Sequence, residues 1–179
     1  MGDLVTDAER LHAGLGKVVV TFQFVEHWVA DVLAALLQMR HTSDVHRVTA
    51  AMSYAQKVNL MCDLYPDRNN PSWLPVDLEF TRNALMAAEA FRNTVVHSLW
   101  HLGGAEPQWV RTKANLRSKG RLSITSGAAN LDALEEGEKC ASVVKDWYCG
   151  ESGKLRVATS RLKTRVNELS KRDEGADAV

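Results

Sequence analysis

With 179 residues, 45% of them hydrophobic and 25% charged, the chain has room for one globular domain with an adequate core and not for two. Lysine plus arginine and aspartate plus glutamate each number 22, so no global field draws the protein toward nucleic acid or membrane, and only local clustering of charge can argue for either. Three widely spaced cysteines, Cys62, Cys140 and Cys149, speak against a disulfide framework and a zinc site and fit a reducing cytoplasm.

The first ten residues are acidic and amphipathic, without the basic start or apolar core of a signal peptide. The longest greasy stretch, Val29 to Met39, is interrupted by Asp31 and too short to span a bilayer, so a soluble, unsecreted protein with no membrane partner is expected. Leu15, Val18, Phe22, Val25, Val29, Val32 and Leu36 recur in steps of three and four, the period of one buried helix face, and predict a first helix from Gly16 to Arg40. Thr42-Ser43-Asp44 can cap a second, whose stripe of Val45, Val48, Met52, Ala55 and Cys62 carries it to near Tyr65. The run from Asp67 to Pro75 holds two prolines and must be a loop.

The third helix opens at Asp77, whose charge and that of Glu79 suit its positive end, and runs through His97 on a core face of Ala84, Ala88, Phe91 and Val95. After Gly103-Gly104 the helical period vanishes. Trp109 to Leu116 and Arg121 to Thr125 then read as a short hairpin around Arg117-Ser118-Lys119-Gly120. It carries Arg111, Lys113, Arg117, Lys119 and Arg121, with no acid between Pro107 and Leu131, so its field is positive over more than a Debye length. Asn130 caps a fourth helix that ends at Cys149-Gly150. A fifth, on Leu155, Ala158, Leu162, Val166 and Leu169, bears seven cations between Lys154 and Arg172 against Glu168 alone. The expected fold is all-α, an up-and-down bundle of four to five helices with a short β-hairpin insertion, in a single domain over residues 1–172 followed by a flexible tail, 173–179.

One turn of the third helix concentrates the chemistry. At 100° per residue, Arg82, Glu89, Arg92, Asn93 and His97 fall within an arc of about 140° opposite the core face. Asn93 and His97 are neighbours at four residues, and the long side chain of Arg92 can reach over to them. A guanidinium that cannot lose its proton grips phosphate oxygens, while an imidazole titrating near neutrality takes a proton from a hydroxyl.

A helical bundle whose third long helix ends in Arg-Asn-x-x-x-His, here Arg92, Asn93 and His97, resembles the HEPN superfamily. The resemblance implies a metal-independent endoribonuclease, without cofactor, in which two subunits of a homodimer bring their motifs face to face. His97 would act as base or acid at the ribose 2′-hydroxyl, Arg92 would stabilise the pentavalent phosphate, and Asn93 would orient one of them. Glu89 could hold Arg92 by a salt bridge, and Arg111, Lys113, Arg117 and Lys119 would guide RNA. Many such proteins are toxins or defence effectors, which implies a regulatory or antitoxin partner.

Blander readings exist for each residue. Arg92 with Glu89 makes an ordinary surface pair worth a few tenths of a kcal/mol, and a histidine at a helix end caps its last carbonyls. The alternative function is a noncatalytic HEPN-like module that uses the same arc for dimerisation, nucleotide or partner binding. It predicts Arg92 and His97 locked in intramolecular contacts. Among the remaining histidines no His-x-x-x-His pair lies on one helix face, which opposes a third reading as a metal-dependent enzyme. Glu26 and His27 read as solvent or interface residues, and Cys62 as a small buried hydrophobe.

Overall fold

The structure, a computed structural model, describes residues 2–66, 77–103, 108–116, 122–146 and 152–170. Six helices and a three-stranded antiparallel sheet are present among them, in the order α1 (Gly2–Leu36), α2 (Thr42–Ala50), α3 (Tyr54–Leu64), α4 (Leu78–Val96), β1 (Leu99–Gly103), β2 (Gln108–Leu116), β3 (Leu122–Ala128), α5 (Leu131–Lys145) and α6 (Ser152–Ser170). The mainly helical class is as predicted. The count of four to five helices and the two-stranded hairpin are both too low, for local reasons.

α1 is longer than its core stripe foretells. Val18, Phe22, Val25, Val29, Val32 and Leu36 are buried as expected, but the helix starts at Gly2. Its acidic first turns are anchored by Leu11, which is buried, and by Arg10, which bonds Asp132 (2.6 Å) and Glu135 (2.8 Å) on α5. This length makes Val5–Leu36 long and apolar enough, by length and composition, to cross a membrane, against the shorter stretch read from sequence. Its apolar stripe instead belongs to the common core with α3, α4, α5 and α6. The helix stops at Leu36, before Arg40, because Gln38 turns to a left-handed φ of 54°. The Met39 amide then reaches Ala34 O and the Gln38 amide Ala35 O, a pairing that satisfies the last carbonyls.

The predicted second helix is two helices. Ser53 accepts from the Gln56 amide, and the Gln56 side chain accepts from the Ser53 amide at 2.8 Å. This reciprocal cap starts α3 afresh where the apolar stripe alone reads as continuous. The N-cap of α2 is His41, with no side-chain cap bond, and not the Thr42-Ser43-Asp44 group.

α4 forms as expected. Asp77 caps it through the Phe80 amide at 2.8 Å, and Ala84, Ala88, Phe91 and Val95 are buried. Asn130 likewise caps α5 through the Ala133 amide, although α5 ends at Lys145. α4 and α5 pass closely at Gly137, where a Cβ would stand 2.3 Å from the Phe91 ring. β2 and β3 are the predicted hairpin, with β3 running on to Ala128. β1 was not foreseen. It pairs with β2 in the register Trp100 to Arg111 and Leu102 to Trp109, immediately after α4. The seven-cation helix is anchored through Arg165, which bonds Glu168 and, at 2.5 Å, Glu136 of α5.

Candidate functional site

The site sits where α4 hands over to β1, and the sheet fixes that end of the helix. Trp100 Nε1 donates to Val95 O at 3.0 Å, and Ser98 Oγ to Thr94 O at 2.6 Å, so two of the orphan carbonyls of the last turn are satisfied by the residues that follow it. From β2, Arg111 Nη1 donates to Ser98 Oγ (2.9 Å) and Lys113 Nζ to Thr94 Oγ1 (3.5 Å). His97, the C-cap residue between these anchors, is thereby held in place while its ring stays exposed.

The three motif side chains converge. Arg92 Nη1 donates to Asn93 Oδ1 at 2.9 Å and approaches His97 Nε2 at 3.4 Å. A guanidinium can only donate, so a hydrogen bond in that contact requires Nε2 to be the acceptor. Arg92 Cζ stands 5.6 Å from the centre of the Phe22 ring, so α1 supplies an aromatic floor that steadies the guanidinium without using its N–H groups. The result is a partly exposed cluster of one fixed cation, one amide and one titratable ring.

Glu89 does not hold Arg92 in an ion pair among the described residues; Arg92 turns the other way, to Asn93 and His97. The half-buried Glu89 carboxyl is pushed above its ordinary range by burial, a rise that Arg92 opposes and Glu26 reinforces. Glu26, read from sequence as a solvent or interface residue, in fact binds Lys57 at 2.8 Å, and Lys57 is only 7% exposed. Close by, Tyr54 packs on Phe22 and donates to Leu85 O. A polar seam made of Glu26, Lys57 and Glu89 thus adjoins the motif. Sequence alone gave no sign of it, because Glu26 and Lys57 lie 31 positions apart.

The four hairpin candidates divide. Arg111 is buried, 4% exposed, and Lys113 is half-buried; both lie on the sheet face that packs toward α4, and burial lowers the pKa of each. Arg117 and Lys119 lie outside the described residues. The thiols of Cys62 and Cys140 are free and buried, and burial raises their pKa values, which suits inert core groups. His27 meets Asp31 at 3.4 Å on the wet face of α1. Among the described residues no group of three or more histidine, cysteine, aspartate or glutamate side chains could hold a metal ion.

Comparison of the chain with protein-family models, with curated proteins and with solved structures finds no match in any of the three.

Proposed function

We propose that the protein is a metal-independent endoribonuclease of the HEPN type. The single observation that carries this reading is the convergence of Arg92, Asn93 and His97 on one partly exposed spot, where Arg92 Nη1 lies 2.9 Å from Asn93 Oδ1 and 3.4 Å from His97 Nε2. In the reaction, Arg92 swings from His97 to the phosphate, and the freed His97 Nε2 takes the proton of a ribose 2′-hydroxyl while the 2′-oxygen attacks the adjacent phosphorus. Arg92 neutralises the charge that builds on the phosphorane oxygens, and Asn93 Oδ1 fixes the guanidinium that does so. The 5′-oxygen leaves and takes a proton from water or from the protonated His97, so the products are a 2′,3′-cyclic phosphate and a free 5′-hydroxyl. The nucleophile is the substrate's own, which restricts the reaction to RNA. Two subunits facing each other across α4 would place a second cation over the same phosphodiester. A cytoplasmic toxin or defence effector under an antitoxin or other regulatory protein is the biological setting that fits this chemistry.

The test is incubation of purified protein with RNA in EDTA. Cleavage is expected, and His97→Ala is expected to abolish it while the helical circular-dichroism spectrum stays unchanged. Cleavage that survives in a folded His97→Ala protein removes His97 from the chemistry.

A second reading has its own supporting observation. Arg92 Nη1 is spent on Asn93 and His97, an internal lock that suits a noncatalytic module using this surface for dimerisation, nucleotide or partner binding. Under that reading no RNA is cut, and Arg92→Ala alters the oligomeric state or ligand binding instead.

A further inference from the structure

A second concave site lies away from the motif, where the start of α1, the β2 and β3 strands, the start of α5 and the end of α6 meet around a cleft of about 620 Å³. That volume suits a small organic ligand. Arg111 lies at its wall, and it differs from every other charge there. Asp7 and Asp132 are both bridged by Arg10, at 3.5 and 2.6 Å, and Glu168 is bonded by Arg165. Arg111 has no carboxylate within 4 Å among the described residues; its one hydrogen bond there is from Nη1 to the neutral hydroxyl of Ser98. Burial lowers its pKa and no acid offsets that effect. A buried guanidinium without a counter-charge is costly, and an anion delivered from solution relieves the cost.

The surroundings of Arg111 favour the same occupant. Gly127 stands opposite Arg111 in the β2–β3 register and lines the cleft, so no side chain from that position covers the guanidinium. The first amides of α5, at Leu131 and Asp132, have no acceptor within their own helix and edge the same space. Leu131 and Leu169 add an apolar wall. An arginine this buried, at 4% exposure for the whole residue, can meet a terminal oxyanion pushed into a recess, whereas a diester inside a polymer would have to bring its chain in with it.

We infer that this cleft binds a small molecule carrying a terminal phosphoryl or carboxylate group, which Arg111 grips while the rest of the ligand lies against Leu131 and Leu169. The site is independent of the nuclease reading. Arg10, already engaged by Asp7, Asp132 and Glu135, shapes the rim there.

Isothermal titration with phenyl phosphate, benzoate and neutral benzyl alcohol tests the inference, the first two arms separating phosphoryl from carboxylate ligands. The full-length protein is expected to bind at least one of the two anions at least about tenfold more tightly than benzyl alcohol. Arg111→Met is expected to lose that preference, and His97→Ala to keep it, which separates this site from the motif. Should Arg111→Met fail to fold, Gly127→Val serves in its place: it leaves the guanidinium intact and fills the space before it, and anion binding is again expected to fall about tenfold. Equal binding of the anions and the alcohol, no binding of either anion, or undiminished anion binding in a folded variant overturns the inference.

Discussion

Arg92 holds two partners with one nitrogen, and its position follows from local rules. Asn93 is the next residue, His97 is one turn beyond, and the arginine side chain is long enough to lie over both. These contacts were legible in the sequence because they span at most five residues. The contacts that join distant segments were not: Lys57 finds Glu26 across 31 positions and Arg111 finds Ser98 across 13, and no periodicity announces either. Glu89, which could have held Arg92 by a salt bridge or simply solvated the helix surface, makes no ion pair with it among the described residues, where Arg92 turns to Asn93 and His97. Glu89 therefore has a consequence for stability instead. A carboxyl whose folded pKa lies above its unfolded value takes up a proton on folding, so its contribution falls as pH rises from the ordinary value of 4.5 through the higher folded value. Glu89→Gln is expected to raise the melting temperature at pH 7 more than at pH 4, as read by thermal unfolding at both pH values. An equal shift at the two would mean that its carboxyl is not held above its ordinary range.

At the level of elements, apolar spacing located the helices well and their ends poorly. The stripe on α1 marks what the core buries and says nothing of the Arg10 ion pairs that carry the helix back to Gly2. The stripe from Val45 to Cys62 runs through a real break, because Ser53 and Gln56 satisfy each other's backbone and restart the chain. That cap signature, serine followed three residues later by glutamine, stands in the sequence and outranks the period. β1 was illegible for another reason: its five residues, Leu-Trp-His-Leu-Gly, do not alternate cleanly, and they become a strand by pairing with β2. The approach of α4 to α5 likewise depends on one residue, Gly137. Alanine there would improve helix propensity by roughly 0.5–1 kcal/mol. Its Cβ would nevertheless stand 2.3 Å from the rigid, fully buried Phe91 ring, and overpacking of that kind costs about 1–3 kcal/mol. The clash is expected to win, so Gly137→Ala should lower the urea midpoint, with an unchanged midpoint showing that the two helices can separate freely. Under the proposed function the variant should also reduce RNA cleavage, since Phe91 precedes Arg92 on the same turn.

For the molecule as a whole, balanced charge leaves no long-range pull on a polyanion, so under the proposed nuclease function recognition of RNA would fall to local groups. A single motif presents one cation and one base to solvent, and a symmetric pair would present two of each across one groove. Mixing an inactive Arg92→Ala subunit with the wild type is expected to lower activity further than dilution accounts for; activity strictly proportional to the wild-type fraction would mean that each subunit works alone. The most direct measurement concerns the bond that is broken. Fragments from an RNA digested in EDTA, analysed by mass spectrometry, are expected to end in 2′,3′-cyclic phosphate and to begin with a 5′-hydroxyl, with no cut at a site whose 2′-oxygen has been removed. Fragments ending in 3′-hydroxyl, or cleavage at the 2′-deoxy position, would contradict attack by the substrate's own oxygen and with it the roles given to Arg92 and His97.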